Sequence, residues 1–287
     1  MALAERTGAL LISADSRQVY RRFDIGTSKP TSAERARVEH AGIDIIDPIA
    51  RYSAAQWSES AMSWLRMADE RGQPAIIVGG TGFYLHALES PLFESPALDP
   101  AARALVLAEL ELESTEVLRV LCTNVDPARA HLGRTQLLRA LETQMLTGRP
   151  LSEWLQECAR PAAVRGHYLL IDPGDVLRDR IATRVADMLS AGWEDEIHAL
   201  ANDVPPDAPA WNACGYRELR AARDGTVSRE HAIQRTIIDT RQYAKRQRTW
   251  FRHQLPPDRV TSLDPLAADA VTRAATWLES ATPSEHL

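Results

Sequence analysis

Cysteine is scarce in this chain of 287 residues, and the cysteines present form no recognisable framework. Cys122, Cys158 and Cys214 are far apart, no CxxC pair occurs, and the eight histidines show no metal-ligand spacing. The sequence therefore gives no sign of a disulfide scaffold or of a metal site built from side chains. A reducing, cytoplasmic setting fits this cysteine usage best.

Long apolar runs are also absent. No run approaches the roughly 20 residues that cross a bilayer, and the first residues have neither the basic flank nor the apolar stretch of a signal peptide. We therefore expect no membrane association. Hydrophobic residues make up 45% of the chain, enough for a sizeable core and a second, smaller lobe. The net charge is -6, so a nucleic-acid contact would need a local basic surface.

The order of apolar and capping patterns predicts an α/β fold with a parallel sheet. Residues 1–7 resemble the end of a helix closed by Gly8, and residues 9–14 form a buried strand pattern. A second short strand is expected at residues 43–46 and a third at 74–78. Between them, a capping box at residues 53–56 predicts a helix to about residue 70. Strands that alternate with helices favour parallel pairing.

The pattern changes after the third strand. Residues 92–165 show helical periodicity, several prolines and no convincing strand, whereas residues 166–171 return to a strand pattern followed by long helices. We therefore expect a core made of residues 1–91 and 166–287, interrupted by a helical insertion of residues 92–165.

Asp15 is the first candidate for chemistry. It follows a buried strand, and in open α/β sheets this edge faces the ligand crevice. The polar residues Ser13, Ser16, Arg17 and Gln18 surround it in sequence. A carboxylate there suits a general base or a metal ligand, and the cap of a turn explains it equally well.

A glycine-rich turn, residues 79–82, follows the third predicted strand. Glycines allow backbone amides to converge on an anion, and Thr81 adds a hydroxyl group. A tight strand-to-helix turn without a ligand explains the same spacing. The motif alone does not separate the two interpretations.

A basic helix is predicted at residues 233–253. Arg241, Lys245, Arg248 and Arg252 recur at helical spacing and so share one face. A solvated face is the ordinary explanation for such a run, but here the run has one sign in an acidic protein, which favours an anionic partner.

A second basic pair, Arg180 and Arg184, lies one helical turn apart beside an apolar stripe. Guanidinium groups at such an edge are suited to diphosphate oxygens. Arginines that extend along the core edge towards solvent are the alternative.

Several segments together resemble the tRNA dimethylallyltransferase family. They are residues 13–20 (SADSRQVY) with 24–30 (DIGTSKP), 78–84 (VGGTGFY), 139–142 (RALE), 215–218 (GYRE) and 240–247 (TRQYAKRQ). Each block is modest alone, but all of them occur in the family's order and cover nearly the whole chain.

The resemblance implies a fold, an activity and partners. The fold would be a P-loop-type parallel α/β core with a helical insertion that grips the tRNA anticodon stem-loop. The activity would be transfer of a dimethylallyl group from dimethylallyl diphosphate to N6 of the adenosine 3′-adjacent to the anticodon. Mg2+ is the implied cofactor, and the enzyme is expected to act as a monomer.

The resemblance also implies roles for individual residues. Asp15 matches the family's general base, Thr81 matches a residue of the reaction channel, and Arg184 matches an arginine that assists at the diphosphate. Further diphosphate contacts are expected from Gly79, Gly80, Arg180, Arg217, Arg241 and Lys245. Contacts with tRNA are expected from Ser16, Arg17, Gln18, Arg103, Thr135, Gln136, Leu137, Leu138, Arg139, Asn212, Ala213, Cys214, Gly215, Tyr216 and Arg217. Gln136 stands where family members have an arginine.

The largest departure from the family is at the start of the chain. No GxxxxGK[ST] motif occurs, and residues 1–8 match the helix that follows this phosphate-binding loop in the family. We expect that the natural chain extends upstream by a few tens of residues, and that the first strand and the P-loop, with its hydroxyl ligand for magnesium, are missing here. The chain as written is then expected to be poorly stable and impaired in activity.

Two other functions remain compatible with the sequence. One is a non-catalytic tRNA-binding remnant, which would bind tRNA in a salt-sensitive manner without transfer. The other is a small-molecule kinase on the same core, which an assay of phosphate transfer would identify.

Overall fold

The computed structural model describes residues 1–90, 98–157 and 164–281. Cys158 and parts of the predicted insertion, residues 92–97 and 158–163, lie outside the described residues. Two compact units are present: a core unit, Met1–Glu89 with Val164–Leu287, and an inserted unit, Ser90–Ala163. The strands are β1 (Leu10–Ser13), β2 (His40–Ala41), β3 (Ala75–Val78), β4 (Tyr168–Ile171) and β5 (Val260–Leu263).

The helices of the core unit lie before and after the inserted unit in the chain. In order they are α1 (Ala2–Thr7), α2 (Ser32–Arg37), α3 (Ala54–Glu70) and α4 (Gly82–Glu89), then α9 (Leu177–Ser190), α10 (Trp193–Ala201), α11 (Tyr216–Arg223), α12 (Arg229–Gln254) and α13 (Ala270–Ala281). The helices of the inserted unit are α5 (Pro100–Leu110), α6 (Thr115–Val125), α7 (Arg134–Thr147) and α8 (Leu151–Glu157).

The first sheet has the strand order β2-β1-β3, and its pairs are parallel, as the alternation of strands and helices predicted. All four residues of β1 are buried, which agrees with the strand expected within residues 9–14. In the register with β3, Ser13 pairs with Val78. The segments that follow β1 and β3 therefore leave the sheet side by side.

The strand predicted at residues 43–46 is wrong. The chain pairs with β1 through β2 instead, and only an isolated bridge joins Ile46 to Tyr20 among the described residues. Gly42 and Asp44 have φ values of 80° and 57°, and these left-handed conformations are incompatible with a continuous strand. The backbone N–H of Ile46 donates to the carbonyl of Val19, so this segment is fixed by loop contacts.

A second sheet contains β4 and β5 in parallel. β4 confirms the strand expected within residues 166–171. β5 was not predicted, because Val260–Leu263 is mostly solvent-accessible and has little apolar pattern. Among the described residues, β3 and β4 each pair on one side only, and their last residues, Val78 and Ile171, are 51% and 56% exposed.

Local capping signals correctly predicted two helix ends. Ser53 and Gln56 form the capping box that begins α3, and Gly8, with φ 69°, ends α1. Trp57 of α3 is fully buried, and its indole N–H donates to the carbonyl of Ser13 at 3.0 Å. This bond fixes α3 against the end of β1.

The largest apolar cluster of the core unit packs α10 and α11 against the segment after β1. It includes Phe23, Trp193, Trp211 and Tyr216, which are at most 1% exposed. α12 begins beside this cluster, where Ala232 is buried, and continues for 26 residues. The predicted basic helix is therefore part of one continuous element whose first turns pack into this cluster.

The inserted unit has its own core. Leu118, Cys122, Leu137 and Ala140 are fully buried between α5, α6, α7 and α8. Residues 98–157 contain no strand, as the helical periodicity predicted. No helix in the described residues is both long and apolar enough to cross a membrane.

An ion pair secures the places where the chain leaves and re-enters the core unit. Arg259 donates to both carboxylate oxygens of Glu89, at 2.6 and 2.9 Å. The same carboxylate accepts the backbone N–H of Gly166 at 2.7 Å. Arg259 and Glu89 are mostly buried, so this pair holds the end of α4 beside the segment that leads to β4.

Candidate active site

Asp15 lies immediately beyond the carboxyl end of β1 and organises a tight turn. Its Oδ1 accepts the backbone N–H groups of Arg17 and Gln18 at 2.7 and 3.3 Å. Its other oxygen, Oδ2, has no hydrogen-bond partner among the described residues. The turn cap and a chemical role are therefore compatible, because each uses a different oxygen of one carboxylate.

Thr81 reaches the same place from the loop between β3 and α4. Its backbone N–H donates to the carbonyl of Ala14 at 3.1 Å, and its Oγ1 accepts the N–H of Ser16 at 3.0 Å. These two bonds flank Asp15 in sequence. The structure thus brings Asp15 and Thr81 together at the edge of the sheet where the sequence placed the ligand crevice.

Arg184 approaches this edge from α9. Crowding by protein atoms lowers the pKa of its guanidinium, and the carboxylate of Asp15 opposes that shift. The side chain nevertheless remains exposed to solvent. Its Nε and Nη2 donate to Ser28 Oγ at 3.1 and 2.7 Å. An oriented cation therefore lies in the neighbourhood of the carboxylate.

Tyr243 of α12 is a site residue to which the sequence analysis assigned no role. Burial raises the pKa of its phenol, the charge of Asp15 adds to that effect, and a hydrogen bond with Thr81 opposes it. The phenol therefore lies beside both Asp15 and Thr81. Tyr243 is part of the block at residues 240–247. At helical spacing it lies on a different face from the basic residues that predicted an anionic partner for this helix.

The glycine-rich turn provides close packing on two sides. A Cβ at Gly79 would lie 2.3 Å from the carbonyl oxygen of Ala14, and one at Gly82 would lie 2.2 Å from the ring of Trp250. Gln247 of α12 donates to the carbonyl of Gly80 at 2.8 Å. The glycines thus let α12 approach the end of the sheet, while the expected diphosphate contacts of Gly79 and Gly80 stay a prediction.

The four cations of α12 that were expected to share a face line one groove. Arg241, Lys245, Arg248 and Arg252 lie along it with Arg178 of α9, around a cavity of about 790 Å³. Arg241 donates to the carbonyl of Arg178 at 3.2 Å, and Arg248 pairs with Asp172 at 2.8 Å. Among the described residues that line the groove, Asp175 is the one acidic side chain, so the groove favours anions.

Two other arginines that were predicted to contact diphosphate lie outside the hydrogen bonds and the groove described above. Arg180 and Arg217 are exposed, and their side chains form no hydrogen bond or ion pair with the described residues. Neither lines the basic groove. Their expected contacts with diphosphate stay predictions.

The predicted tRNA-contact segment at residues 212–217 is only partly accessible. Ala213, Gly215 and Tyr216 are buried, and the Tyr216 hydroxyl donates to Glu196 at 2.6 Å. Asn212 and Arg217 are exposed. We therefore restrict the expected RNA contacts of side chains in this segment to its accessible members.

Cys214 and the turn after β1 are close in space. Burial raises the pKa of the Cys214 thiol, and the positive charge of Arg17 opposes this shift. The side-chain amide of Gln18 is already hydrogen-bonded within the protein, because its Nε2 donates to the carbonyls of Thr27 and Ser28, each at 3.2 Å. Ser16, Arg17 and Cys214 are partly accessible and keep the expected RNA contact as a prediction.

The expected tRNA contacts of the inserted unit also differ in accessibility. Leu137 is fully buried in its core, whereas Thr135, Gln136 and Arg139 are exposed and Leu138 is half-buried. Arg103 donates to the buried carboxylate of Glu142 at 2.7 Å, and Gln136 accepts a bond from Arg129. A contact through the side chain of Leu137 is therefore incompatible with this packing.

The side chains present do not fit a magnesium ion held by the protein alone. No group of three or more His, Cys, Asp or Glu residues that could hold a metal occurs in the described part of the chain. Asp172, the other carboxylate near the groove, is paired with Arg248.

Comparisons with known proteins agree with the resemblance seen in the sequence. A family model described as IPP transferase matches residues 18–254. A tRNA dimethylallyltransferase of Halorhodospira halophila is 40% identical, over 93% of this chain and 89% of that protein. A tRNA dimethylallyltransferase of Ralstonia nicotianae is 41% identical, over 98% and 91% respectively.

Solved structures extend the similarity to the fold. The tRNA isopentenylpyrophosphate transferase of Bacillus halodurans is 32% identical, with a TM-score of 0.67, over 97% of this chain and 89% of that one. A eukaryotic dimethylallyltransferase acting on tRNA is 26% identical, with a TM-score of 0.78, over 99% and 77%. Matches of this extent establish that the chain belongs to the IPP transferase family.

Proposed function

We propose that this chain transfers a dimethylallyl group from dimethylallyl diphosphate to N6 of the adenosine 3′-adjacent to the anticodon of tRNA. One observation carries the proposal beyond family membership: Asp15 presents an unpaired carboxylate oxygen beside Thr81, within the electrostatic influence of Arg184. A base and a cation are the two groups that this reaction requires.

The reaction requires a base because the acceptor, the exocyclic amine of adenine, is a weak nucleophile. The lone pair of the exocyclic adenine amine is delocalised into the ring, so attack becomes favourable when the N–H proton is removed as the new bond forms. N6 attacks C1 of the dimethylallyl group, the C1–O bond breaks, and its electron pair leaves with diphosphate. Oδ2 of Asp15 receives the proton of N6, while Oδ1 remains bonded to the turn.

The reaction also requires cations, because the leaving group is a negatively charged diphosphate. The departing diphosphate gains negative charge as the allylic carbon becomes positive, and preorganised cations stabilise such a transition state. Arg184 is oriented by Ser28 for this role. Arg241 and Lys245, with Arg178, Arg248 and Arg252 in the same groove, provide a basic environment for diphosphate.

The acceptor adenine is accessible because it lies in a loop. Bases of single-stranded loops can be splayed out and taken into a pocket, whereas bases within a duplex must first be unstacked. Following the family resemblance, we assign the grip on the anticodon stem-loop to the inserted unit, through Arg103, Thr135, Gln136 and Arg139. We further propose that the protein acts as a monomer, in the cytoplasm where its tRNA substrate is found.

The variant Asp15→Asn tests the base. Asparagine retains an Oδ1 acceptor for the N–H groups of Arg17 and Gln18 and loses only the proton-accepting charge. We expect kcat for prenyl transfer to fall by about 100-fold or more, with tRNA affinity within about threefold. Mass spectrometry of nucleosides from treated tRNA measures the transfer, and Asp15→Ala, which also removes the turn cap, serves as the harsher comparison.

The outcomes separate the alternative functions. Near-normal transfer by Asp15→Asn would contradict the role of Asp15 as base. Salt-sensitive tRNA binding by the wild-type chain without any transfer would indicate a non-catalytic RNA-binding protein. Phosphate transfer from ATP to a small molecule in the same preparation would indicate a kinase.

A further inference from the structure

Among the described residues, a single hydroxyl group orients the guanidinium of Arg184. Ser28 Oγ accepts from Nε at 3.1 Å and from Nη2 at 2.7 Å. No ion pair joins Arg184 to Asp15 in the described structure, although their opposite charges interact. Ser28 therefore fixes the cation without neutralising it, which a carboxylate partner in the same place would do.

The backbone of Ser28 adopts an unfavourable conformation. Its φ of 50° lies in the left-handed region, which costs a residue other than glycine on the order of 1 kcal/mol. The N–H of Ser28 donates to the carbonyl of Ile25, and the carbonyl of Ser28 accepts from the side chain of Gln18. Such strain persists only where neighbouring groups impose it, and it is concentrated at functional sites.

The residues around Ser28 make its loop rigid. The side chain of Lys29 is 2% exposed, and its Nζ donates to the carbonyl of Tyr20 and to the carboxylate of Asp24. On the other side, a Cβ at Gly26 would lie 2.2 Å from the indole of Trp193. The position of the Ser28 hydroxyl is therefore set by the core of the unit.

Gln18 links this loop to the turn that carries Asp15. Its backbone N–H donates to Asp15 Oδ1 at 3.3 Å, and its side-chain amide donates to the carbonyl of Ser28 at 3.2 Å. The proposed base and the support of the proposed cation are thus joined through one residue. Neither can shift freely with respect to the other.

We propose that Ser28 is a positioning residue that holds Arg184 beside Asp15 but out of an ion pair with it. A collapsed pair would occupy the free oxygen of Asp15 and neutralise Arg184, so the base and the cation would both be lost. Held by Ser28, the guanidinium keeps its remaining N–H donors for the departing diphosphate. This inference rests on the proposed function and deepens its account of the site.

Ser28→Gly is the decisive variant. Glycine accepts the left-handed conformation without strain, so the loop keeps its shape while the hydroxyl is lost. We expect kcat for prenyl transfer to fall about tenfold, the size expected for a hydrogen bond to a charged group, with KM for tRNA within about twofold. Ser28→Asn should restore part of kcat, because asparagine tolerates this conformation and offers an acceptor oxygen.

Arg22→Gly is the matched control. Arg22 also has a left-handed φ, 69°, but its side chain pairs with Asp203 on the surface. A glycine there adds the same backbone freedom without touching Arg184, so prenyl transfer should be unchanged. An equal loss of transfer in Arg22→Gly would assign the effect to backbone freedom and overturn the inference.

Binding of inorganic pyrophosphate, measured by calorimetry, separates the inference from the proposed function. We expect Ser28→Gly to bind pyrophosphate about fivefold more weakly than the wild-type chain, because the guanidinium is no longer oriented. Weaker pyrophosphate binding without tRNA prenylation by the wild-type chain would support the inference and reject the proposed function. Unchanged kcat and unchanged pyrophosphate affinity in Ser28→Gly, or no pyrophosphate binding by the wild-type chain, would overturn the inference.

Discussion

The two lysines of the chain have opposite environments. Lys29 is buried, with its ammonium group between the carboxylates of Asp24 and Asp44, whereas Lys245 is exposed in the basic groove. Burying a charge is costly unless charged or polar partners compensate it. In the sequence, both residues differ from the other basic positions only in being lysines. Their surroundings make Lys29 a structural support of the site and Lys245 a candidate for binding anions.

We expect Lys29→Met to destabilise the fold by about 2 kcal/mol, less than the loss of a partner from a fully buried pair, because the side chains of Asp24 and Asp44 are 55% and 30% exposed. Lys245→Met, the only other lysine replacement that the chain offers, should change stability by less than about 0.5 kcal/mol. Urea denaturation at neutral pH measures both free energies of unfolding. Equal effects of the two replacements would contradict a supporting role for Lys29.

The interaction between Lys29 and Asp44 also predicts that the stability of the fold depends on pH. Burial acts to raise the pKa of Asp44, but hydrogen bonds from Lys29 and Arg35 outweigh it and hold the pKa below its ordinary value of 3.8. A lowered acid pKa stabilises the fold at pH values above the unfolded-state pKa, and this contribution is lost as the pH falls through the folded-state pKa. The difference in stability between the wild-type chain and Lys29→Met should therefore shrink below about pH 4.

At the scale of elements, the site depends on how closely α12 approaches the end of the sheet. Gln247 contacts the carbonyl of Gly80, Tyr243 contacts Thr81, and the ring of Trp250 occupies the space where Gly82 has no side chain. The same helix carries the cations of the groove. A small displacement of α12 would therefore move Tyr243 and the basic residues together.

Gly82→Ala tests this contact. Alanine would favour the helix by up to about 1 kcal/mol at an unhindered position, but here its Cβ would meet the ring of Trp250 at 2.2 Å. We expect a net loss of about 2 kcal/mol and a fall in prenyl transfer of several-fold. Thermal and urea unfolding give the stability, and adding Trp250→Leu to Gly82→Ala should recover part of it.

Gly166→Ala is the control for this substitution. The nearest atom to a Cβ at Gly166 is 3.5 Å away, an ordinary contact, and its φ is not in the left-handed region. Its effect should stay within about 0.5 kcal/mol. Similar losses at both glycines would contradict close packing of α12 as the reason for Gly82.

For the whole molecule, the distribution of charge matters more than its total. The net charge of -6 disfavours contact with RNA, yet α12 and the inserted unit present accessible arginines. Binding of a polyanion then depends on local patches, and release of counterions makes it sensitive to salt. Salt also screens the repulsion between RNA and the acidic remainder of the surface, so this repulsion should offset a small part of the loss of affinity.

We expect tRNA affinity to fall at least about tenfold between 50 and 200 mM salt. Arg139→Gln should reduce the slope of log affinity against log salt by about one, the effect of losing one phosphate contact. Arg149→Gln is the control in the same unit, because Arg149 lies outside the segments expected to contact tRNA. Filter binding across a salt series measures the slopes, and equal slopes for Arg139→Gln and the wild-type chain would rule out a phosphate contact at Arg139.

The sequence by itself determined the features that depend on neighbours in the chain. The cap at Gly8, the capping box at Ser53 and the buried run of β1 were predictable because their hydrogen bonds and burial patterns arise within a few residues. The family blocks also contain Asp15 and Thr81. The adjacent ends of two parallel strands then explain why these residues meet.

Only the tertiary structure decided the features that join distant segments. The pairing of β5 with β4, the bond of Arg184 to Ser28 across 156 positions and the contact of Tyr243 with Thr81 have no local signal. The strand expected at 43–46 does not form, because Gly42 and Asp44 have left-handed conformations. Hydrogen bonds to a distant loop fix this segment, and its short apolar pattern does not reveal them. The sequence therefore determined which groups are available for chemistry, and long-range packing determined how they are oriented towards one another.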